Sequence, residues 1–578
     1  MQAHRGPDDV GVIGDSFAAL GANRLAIMDP SPRGHMPMAA GDDWLVFNGE
    51  IYNHVELRTL LRDRGQQVAS GGDTEVLLRC LQEFGLQCLP MLRGMFAFAW
   101  WNGADRRLVL ARDRIGIKPL AYRLDAGVLS FASESKVLGW QAPAVDPEAL
   151  AAYLVGTRHP SRHTFFCGVM TLPPGTYGVL KGDALDISPY WQLPGGSDEA
   201  QDGPTPTEDE IDDLIVGSVR MHLRSDVPVG AYLSGGLDSS LVASIAAAEL
   251  GSLPTFSANV EMTDRRFDER PWVARALERI PGEHHRVTID PETWWADLLS
   301  MAWFLDEPTA GPAGPAHYAV SRLAADHVKV VLGGQGGDEL FGGYYRHLWA
   351  HAKDLVSSRD VLHLAQGVPS MARVVGDLGP RVVVGKFRRG SLAASVLMPD
   401  VAEALPEVFE PTIAESQLAR LQRWDLTEYL PKLLHVEDRA SMAASVESRV
   451  PLLDHELMEA AWPISGTRKL PGFRLKGLLR RVAARHVAPA IAARGDKRGF
   501  PMPIGPWFAD PLYERVAEVL DTDAVDRHGV FDRRELRSLL DRHRSGSVDA
   551  SAPLWSALSV ELWFATFVDR VGDSPLTA

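Results

Sequence analysis

The chain has 578 residues, of which 46% are hydrophobic and 23% are charged, and this length exceeds what one hydrophobic core usually organises, so we expect at least two domains. Its formal net charge of -16 at pH 7 would repel phosphate backbones and anionic lipids, so we expect neither a nucleic-acid nor a membrane partner. The three cysteines form no CxxC pair, which excludes a disulfide framework and predicts reduced thiols in a cytoplasmic protein.

The first third of the chain has the pattern of short strands joined by turns. The apolar run WLVFNGEIYN predicts a strand that ends in a turn at Asn48-Gly49. GMFAFAWWN and RRLVLARD are two further strand candidates, separated by the turn NGAD. Between these runs, TEVLLRCLQEFG has helical spacing and a stop at Gly85. Strands therefore dominate this part, with a few helices covering them.

The composition changes at 192–208, QLPGGSDEAQDGPTPTE, which is rich in Pro, Gly, Ser and acidic residues. Such a segment has almost nothing to bury, so we predict a linker between a domain at 1–191 and a domain at 209–578. After the linker, strand and helix patterns alternate, which is typical of a parallel sheet. From about residue 400 onward the pattern is mostly helical.

The segment AYLSGGLDSSLVASIAAAEL predicts a strand, a glycine-rich loop and a helix in direct succession. Glycines allow close approach of backbone N–H groups, serines add donors, and the helix N-terminus attracts an anion. Asp238 would repel a phosphate, so its expected role is to hold Mg²⁺. A plain glycine turn capped by serines is the structural alternative.

Three later segments also carry candidate chemistry. An apolar strand at 328–332 opens into a second glycine-rich loop that contains Asp338 and Glu339. The segment 434–457 is dense in charge, and buried structural ion pairs are the alternative explanation for those charges. Lys476 lies in GFRLKGLLRRVA, where a solvated surface lysine is the alternative. A fixed cation there would stabilise negative charge on a bound group.

SGGxDSS resembles the pyrophosphate loop of N-type ATP pyrophosphatases, and alone it leaves argininosuccinate, GMP and NAD synthetases open. The loop GGQGGDELFGGYY, the segment DRASMAASVESRVPLLD and the region around Lys476 resemble asparagine synthetases. Independently, HRGPDDVG, FNGEIYNHVELR, GDTEVLL and LARDRIGIKPLAY resemble class II glutamine amidotransferases, in the order seen in that class. The resemblance covers nearly the whole chain.

The resemblance implies an N-terminal αββα Ntn-hydrolase-like sandwich of α+β class, with its first strand missing. An α/β ATP-pyrophosphatase domain with a parallel sheet and a helical C-terminal part would follow. It also implies roles for individual residues. Arg24, Asn48, Glu50 and Asp73 would bind glutamine, and Asn48 with the N–H of Gly49 would form the oxyanion hole. Those expected to bind ATP are Leu233, Ser234, Gly235, Gly236, Asp238, Ser239, Ser240, Val260, Gly333 and Gly334. Asp238 and Asp338 would bind Mg²⁺, Lys476 would contact the phosphates, and Gln335 would face the nucleophile.

The sequence departs from the family at several positions. The family's glutaminase nucleophile is an N-terminal Cys, whereas Met1 begins this chain, and Cys80 on a predicted helix is a poor substitute. Either an upstream start supplies the Cys and the missing strand, which we favour, or the protein lacks them. Gly333 replaces a usual Ser, Gln335 replaces a usual Glu, and Ala22-Asn23 replaces a usual His-Arg. A carboxamide cannot accept a proton from an amine, so Gln335 bears on the choice of substrate.

The expected function is a ligase that adenylates a carboxylate with Mg-ATP and then forms an amide with ammonia from glutamine or from solution. Aspartate is the default substrate, asparagine the default product, and a homodimer is left open. A same-fold amidotransferase or cyclase acting on a natural product or peptide is one alternative. A catalytically inactive binding protein is the other.

Overall fold

The computed structural model describes residues 1–155, 162–181, 184–194, 205–261, 268–309, 311–370, 395–398, 401, 416–495 and 502–569. The first part of the chain folds around a six-stranded antiparallel sheet. The strands of this first part, which belong to the large sheet and to two smaller ones, are β1 (Asp9–Gly14), β2 (Ala19–Arg24), β3 (Met38–Ala40), β4 (Asp43–Ile51), β5 (Gly94–Asn102), β6 (Arg107–Arg112), β7 (Ala121–Asp125), β8 (Val128–Ala132), β9 (Met170–Thr171), β10 (Thr176–Lys181) and β11 (Ala184–Pro189). The large sheet has the order β11-β10-β6-β5-β4-β3. Most of the predicted linker, residues 195–204 of 192–208, lies outside the described residues.

This sheet is covered on both faces, which makes the front part a layered sandwich. One face packs against helices α1 (His54–Asp63) and α2 (Asp73–Phe84) through an apolar cluster that includes Phe96, Phe98 and Leu77. The other face packs against the hairpin β1-β2 and the small sheet β8-β7-β9 through a second apolar cluster. Two further helices, α3 (Lys136–Gly139) and α4 (Pro147–Val155), complete this part. The predicted sandwich, its strands at β5 and β6 and the helix ending before Gly85 are confirmed.

The expectation that Asn48-Gly49 ends a strand is wrong. Strand β4 continues to Ile51, and within it Asn48 pairs with Ala97 and Gly49 with Phe96 of β5. Gly49 has φ +136°, and a Cβ added there would lie 2.8 Å from the Cα of Phe96. The glycine therefore allows the two strands to stay closely paired where the sequence suggested a turn.

The second part of the chain contains the predicted parallel sheet. Its strands are β12 (Val229–Tyr232), β13 (Thr255–Val260), β14 (His284–Ile289), β15 (Val330–Leu332) and β16 (Glu447–Arg449). The order is β14-β13-β12-β15-β16, and every neighbouring pair is parallel. Because strand β12 lies between β13 and β15, the loops after β12 and β15 emerge side by side at the carboxyl edge of the sheet.

Helices surround this sheet and form the C-terminal part of the described chain, as predicted. They are α5 (Glu208–His222), α6 (Leu237–Leu250), α7 (Arg270–Leu277), α8 (Pro291–Leu305), α9 (Gly314–Ala325), α10 (Gly337–Phe341), α11 (Tyr345–Ser357), α12 (Gln417–Trp424), α13 (Leu430–Ala443), α14 (His455–Ala461), α15 (Gly466–Lys469), α16 (Gly477–Ala483), α17 (Pro489–Ala493), α18 (Ile504–Ala509), α19 (Tyr513–Leu520), α20 (Asp523–His528), α21 (Arg533–Arg544) and α22 (Ser551–Phe567). Among the described residues, no helix has both the length and the apolarity needed to cross a membrane.

Buried ion pairs join the two parts of the chain. Arg5 donates to both carboxylate oxygens of Asp438, at 2.9 and 3.1 Å. Arg93 contacts Asp454 at 2.7 Å in the same way. Arg449 is fully buried beside Glu447, with nitrogen–oxygen distances of 2.9 Å to Glu447 and 3.4 Å to Glu50.

Most of the charged side chains in 434–457 therefore form buried structural ion pairs, which was the alternative explanation for them. Arg439 completes this set by pairing with Asp306 at 3.0 Å and with Glu134 at 3.1 Å. Glu437 differs, because among the described residues it forms no ion pair within 4 Å.

Candidate active sites

The two glycine-rich loops meet at the carboxyl edge of the parallel sheet. Ala231 of β12 is in register with Leu332 of β15, so the loops that follow these strands begin at the same level. Each loop leads directly into a helix, α6 at Leu237 and α10 at Gly337. Free backbone N–H groups at both helix starts therefore point toward the space between the loops.

Two carboxylates and one ammonium group come together between these loops. Lys476 Nζ lies 2.5 Å from Asp338 Oδ1 and also contacts Asp238 Oδ2. Burial lowers the pKa of Lys476, but the carboxylates of Asp238 and Asp338 outweigh burial, so the pKa is raised above its ordinary value. Lys476 is therefore a permanent cation at neutral pH, and it is not the solvated surface lysine that was the alternative.

Backbone geometry holds this cluster in place. Lys476 has φ +54° and lies immediately before helix α16. Its side chain therefore projects from a tight turn, whereas a residue within the helix would project from a helix face. A Cβ added at Gly337 would lie 2.5 Å from Asp238 Oδ1, and one added at Gly334 would lie 2.7 Å from the backbone nitrogen of Ser239. Both glycines thus allow the second loop to pack directly against the first.

A cavity of about 390 Å³ opens beside the cluster. It is lined by eight of the ten residues predicted to bind ATP, namely Leu233, Ser234, Gly236, Asp238, Ser239, Val260, Gly333 and Gly334. Gly235 and Ser240 lie outside this lining. Gly235 has φ +71° and packs against the backbone of α7, and Ser240 is fully buried within α6. Gln335, Asp338 and Lys476 also line the cavity.

The cavity contains functional groups that the sequence reasoning did not single out. Arg494 lines it and forms a two-point ion pair with Glu269, at 2.7 and 2.8 Å. The Arg494 guanidinium also lies 4.5 Å from the ring centroid of Trp272. An arginine fixed in this way provides a rigid cation on the cavity wall. Its position in the sequence, among many arginines, carries no signal that would have identified it.

Glu339 is buried immediately behind Asp338. Tyr344 donates a hydrogen bond to Glu339 Oε1 at 2.6 Å. Burial, followed by the adjacent Asp338 charge, raises the pKa of Glu339 well above its ordinary value. Glu339 does not line the cavity, so it supports the loop from behind and does not face a ligand.

A second cavity, of about 220 Å³, lies in the front part of the chain. The residues predicted to handle glutamine all line it, namely Arg24, Asn48, Gly49, Glu50 and Asp73. Met442 and Glu447 of the second part also line it, so the cavity lies where the two parts meet.

The polar groups of this cavity are held by local hydrogen bonds. Arg24 donates to the carbonyl oxygens of Met28 and Asp29, at 2.9 and 2.6 Å. Asp73 accepts from the backbone N–H of Ile51 at 2.8 Å, and burial raises its pKa to about 6. Burial and the Asp73 charge also raise the pKa of Glu50. Burial therefore shifts both carboxyl groups toward their neutral forms, and at Glu50 the nearby Arg449 guanidinium opposes that shift.

None of the cysteines lines the glutamine cavity. Cys80 and Cys88 are buried, and Cys167 is exposed. Burial raises the pKa of the Cys80 thiol to about 12, so little thiolate forms at neutral pH. This agrees with the expectation that Cys80 is a poor nucleophile.

The donor set in the first cavity suits Mg²⁺. The described residues contain no group of three or more His, Cys, Asp and Glu side chains that could hold a metal ion. Asp238 and Asp338 provide two carboxylates, and Asp238 Oδ1 is buried without a hydrogen-bond partner among the described residues. Mg²⁺ is commonly held by one or two carboxylates together with water and substrate phosphates, so these residues fit it.

Comparison with known proteins assigns each part of the chain to a described sequence family. The sequence model of the family described as asparagine synthase matches residues 210–565, and that of the glutamine amidotransferase domain matches residues 1–191. The chain belongs to the asparagine synthase family. In this chain the match to the glutamine amidotransferase domain precedes the match to asparagine synthase.

Individual relatives of this asparagine synthase family protein align over most of their length. A Mycobacterium tuberculosis protein, provisionally named a glutamine-hydrolyzing asparagine synthetase, is 36% identical over 99% of this chain and 93% of its own length. Asparagine synthetase (glutamine-hydrolyzing) 1 of Bacillus subtilis is 31% identical over the same shares. Amidase chry2 of Gibberella zeae is 28% identical over 93% of this chain and 89% of its own length.

Proposed function

We propose that this family member adenylates a carboxylate with Mg-ATP and then converts it to an amide, with aspartate as substrate and asparagine as product. The observation that carries the proposal is the cluster of Asp238, Asp338 and Lys476 beside the cavity of about 390 Å³. Two carboxylates and a fixed cation between two glycine-rich loops suit a triphosphate and its metal ion. An inactive binding protein would have no need to retain all three groups together.

Different residues of the cavity would have different roles in the first half-reaction, the adenylation of the carboxylate. The N-terminus of α6 and the serines of the first loop would hold phosphate oxygens, and Val260 would pack against the nucleoside. Mg²⁺ held by Asp238 and Asp338 would offset the phosphate charge. The substrate carboxylate attacks the α-phosphorus, the bond to the β-phosphate oxygen breaks, and pyrophosphate leaves. Lys476 would stabilise the negative charge that develops on pyrophosphate.

The second half-reaction needs nitrogen, which the front domain would supply from glutamine. Arg24 and Asp73 would bind the α-carboxylate and α-amino group, and Asn48 and Gly49 would form the oxyanion hole. We propose the division into an amidotransferase domain at 1–191, a linker at 192–208 and a synthetase domain at 209–578. The position of the glutamine cavity at the contact between the two parts supports transfer of ammonia from one to the other.

Exchange of labelled pyrophosphate into ATP tests the proposal. We expect exchange that depends on Mg²⁺ and on aspartate within a panel of carboxylates. Asp238→Asn and Asp338→Asn should each abolish it while leaving the circular dichroism spectrum unchanged. Near-normal exchange in both variants would show that the metal is held elsewhere.

A second candidate is amide formation on a larger carboxylate, such as a natural product or a peptide. Gln335 and Ala22-Asn23, at positions where the family usually has Glu and His-Arg, favour this candidate. The relationship to amidase chry2, a protein named for a different activity, also favours it. The same carboxylate panel separates the two candidates, because exchange without aspartate but with a larger acid would select the second.

A further inference from the structure

Glu437 is a carboxylate in the ATP cavity to which the family resemblance assigns no role. It lies on helix α13, lines the cavity together with Gln335 and Lys476, and its side chain is only 4% exposed. Oε1 accepts a hydrogen bond from Ser448 Oγ at 2.5 Å. Oε2 is buried without a hydrogen-bond partner among the described residues. One oxygen is therefore anchored by Ser448, and the other is buried in the wall of the cavity, where Gln335 also acts on the carboxylate.

The surroundings of Glu437 differ from the family pattern in a coordinated way. Gly333 replaces a usual Ser, and a Cβ added at Gly333 would lie 2.6 Å from Glu437 Oε1. The glycine thus leaves room that the carboxylate occupies. Gln335, which replaces a usual Glu, has its side chain beside the same carboxylate. A carboxylate is therefore missing at position 335 and present on the neighbouring wall of the same cavity.

We propose that Glu437 accepts the proton that the amine loses as it attacks the acyl-adenylate, in place of a carboxylate at position 335. This proposal rests on the amide-forming function proposed above. The amine nitrogen forms a bond to the acyl carbon, the bond from that carbon to the adenylate oxygen breaks, and AMP leaves with that electron pair. The proton from nitrogen goes to Glu437 Oε2.

The environment of Glu437 suits a base. Burial raises its pKa above the ordinary value, and the neighbouring Ser448 and Gln335 side chains offset only part of this effect. A carboxylate with a raised pKa holds a proton more firmly once it has accepted it. The anchor at Ser448 fixes the orientation of the group, so Oε2 does not have to be ordered when the amine arrives.

The two half-reactions separate this role from a structural one. In the full-length protein, pyrophosphate exchange reports adenylation, and amide formation with ammonium chloride reports the amine step. We expect Glu437→Gln to lower amide formation roughly 100-fold or more, the usual contribution of a general base, and to change exchange much less. Gly333→Ala should lower amide formation as well, because the added Cβ crowds Glu437 Oε1.

Exchanging the side chains at positions 335 and 437 provides the decisive test. We expect Gln335→Glu combined with Glu437→Gln to recover much of the amide formation that Glu437→Gln loses. Glu561→Gln is the matched control, since Glu561 is equally buried, is paired with His528 and lies outside the cavity. It should leave the ratio of the two half-reactions unchanged.

Two results would overturn the role of Glu437. One is amide formation within about threefold of wild type in Glu437→Gln, and the other is an equal loss of both half-reactions with no recovery in the swap. Absence of exchange in the wild-type protein with every carboxylate would instead contradict the proposed function.

Discussion

The packing of the two glycine-rich loops against each other leads to a quantitative prediction for Gly334→Ala. The added Cβ would lie 2.7 Å from the backbone nitrogen of Ser239 and 3.0 Å from the carbonyl carbon of Asp238. Ordinary contact begins at 3.4 Å, so the loops must separate by about 0.7 Å, the difference between 3.4 and 2.7 Å. The atoms that clash belong to the backbone, so rotation of a side chain cannot relieve the contact.

That separation acts on the catalytic cluster directly. Asp238 lies on one loop and Asp338 on the other, and Lys476 contacts both. A misplacement of about 1 Å can cost about 100-fold in rate, so we expect Gly334→Ala to lower pyrophosphate exchange about 10- to 100-fold. The overpacking itself should cost about 1–3 kcal/mol of stability. The fold should survive, and thermal melting measured alongside exchange would show this.

Gly217→Ala is the matched control for Gly334→Ala. Gly217 lies within helix α5, and a Cβ there meets no atom within 4 Å. Alanine should stabilise the helix by about 0.5–1 kcal/mol and leave exchange unchanged. Exchange within about threefold of wild type in Gly334→Ala would refute the argument that close loop packing positions the metal-binding carboxylates.

Three further predictions address stability, acid sensitivity and glutamine hydrolysis. Arg449→Met should lower the thermal midpoint clearly, because it leaves Glu447 and backbone carbonyls buried without their cation, a loss of about 3–5 kcal/mol. A midpoint within about 1 °C of wild type would contradict this prediction, because a loss of that size shifts the midpoint by several degrees. Burial lowers the pKa of His222 from 6.5 to about 4, so the folded state holds this proton less firmly than the unfolded state. Its contribution to stability is complete above pH ~6.5 and is lost as pH falls through about 4, up to about 3 kcal/mol. Melting curves between these pH values should show a smaller loss in His222→Gln than in wild type, and equal slopes would be inconsistent with this assignment. Finally, a polypeptide of these 578 residues should release no glutamate from glutamine above background. The reason is that its only exposed thiol, Cys167, lies outside the glutamine cavity. An assay with glutamate dehydrogenase measures this release, and glutamate above background would show that another group acts as nucleophile.

Local features of this protein could be predicted from sequence because they depend on neighbouring residues. Strands β5 and β6, helix α2 and both glycine-rich loops follow from hydrophobic periodicity and from the positions of glycine. The placement of Asp238 and Asp338 at one edge could be inferred as well, because loops that follow adjacent parallel strands emerge together. The Asn48-Gly49 turn failed as a prediction since the pairing with β5, which keeps β4 extended, involves residues far along the chain.

The contacts of the candidate sites were decided by tertiary structure. Lys476 reaches Asp238 across 238 positions of sequence, and no local pattern distinguishes it from its neighbouring arginines. The charges in 434–457 look alike in the sequence, yet five of them are paired in buried contacts while Glu437 faces the cavity. The sequence determines the chemical type of each side chain. Its burial and its partners, which set its pKa and its chemistry, depend on segments that only folding brings together.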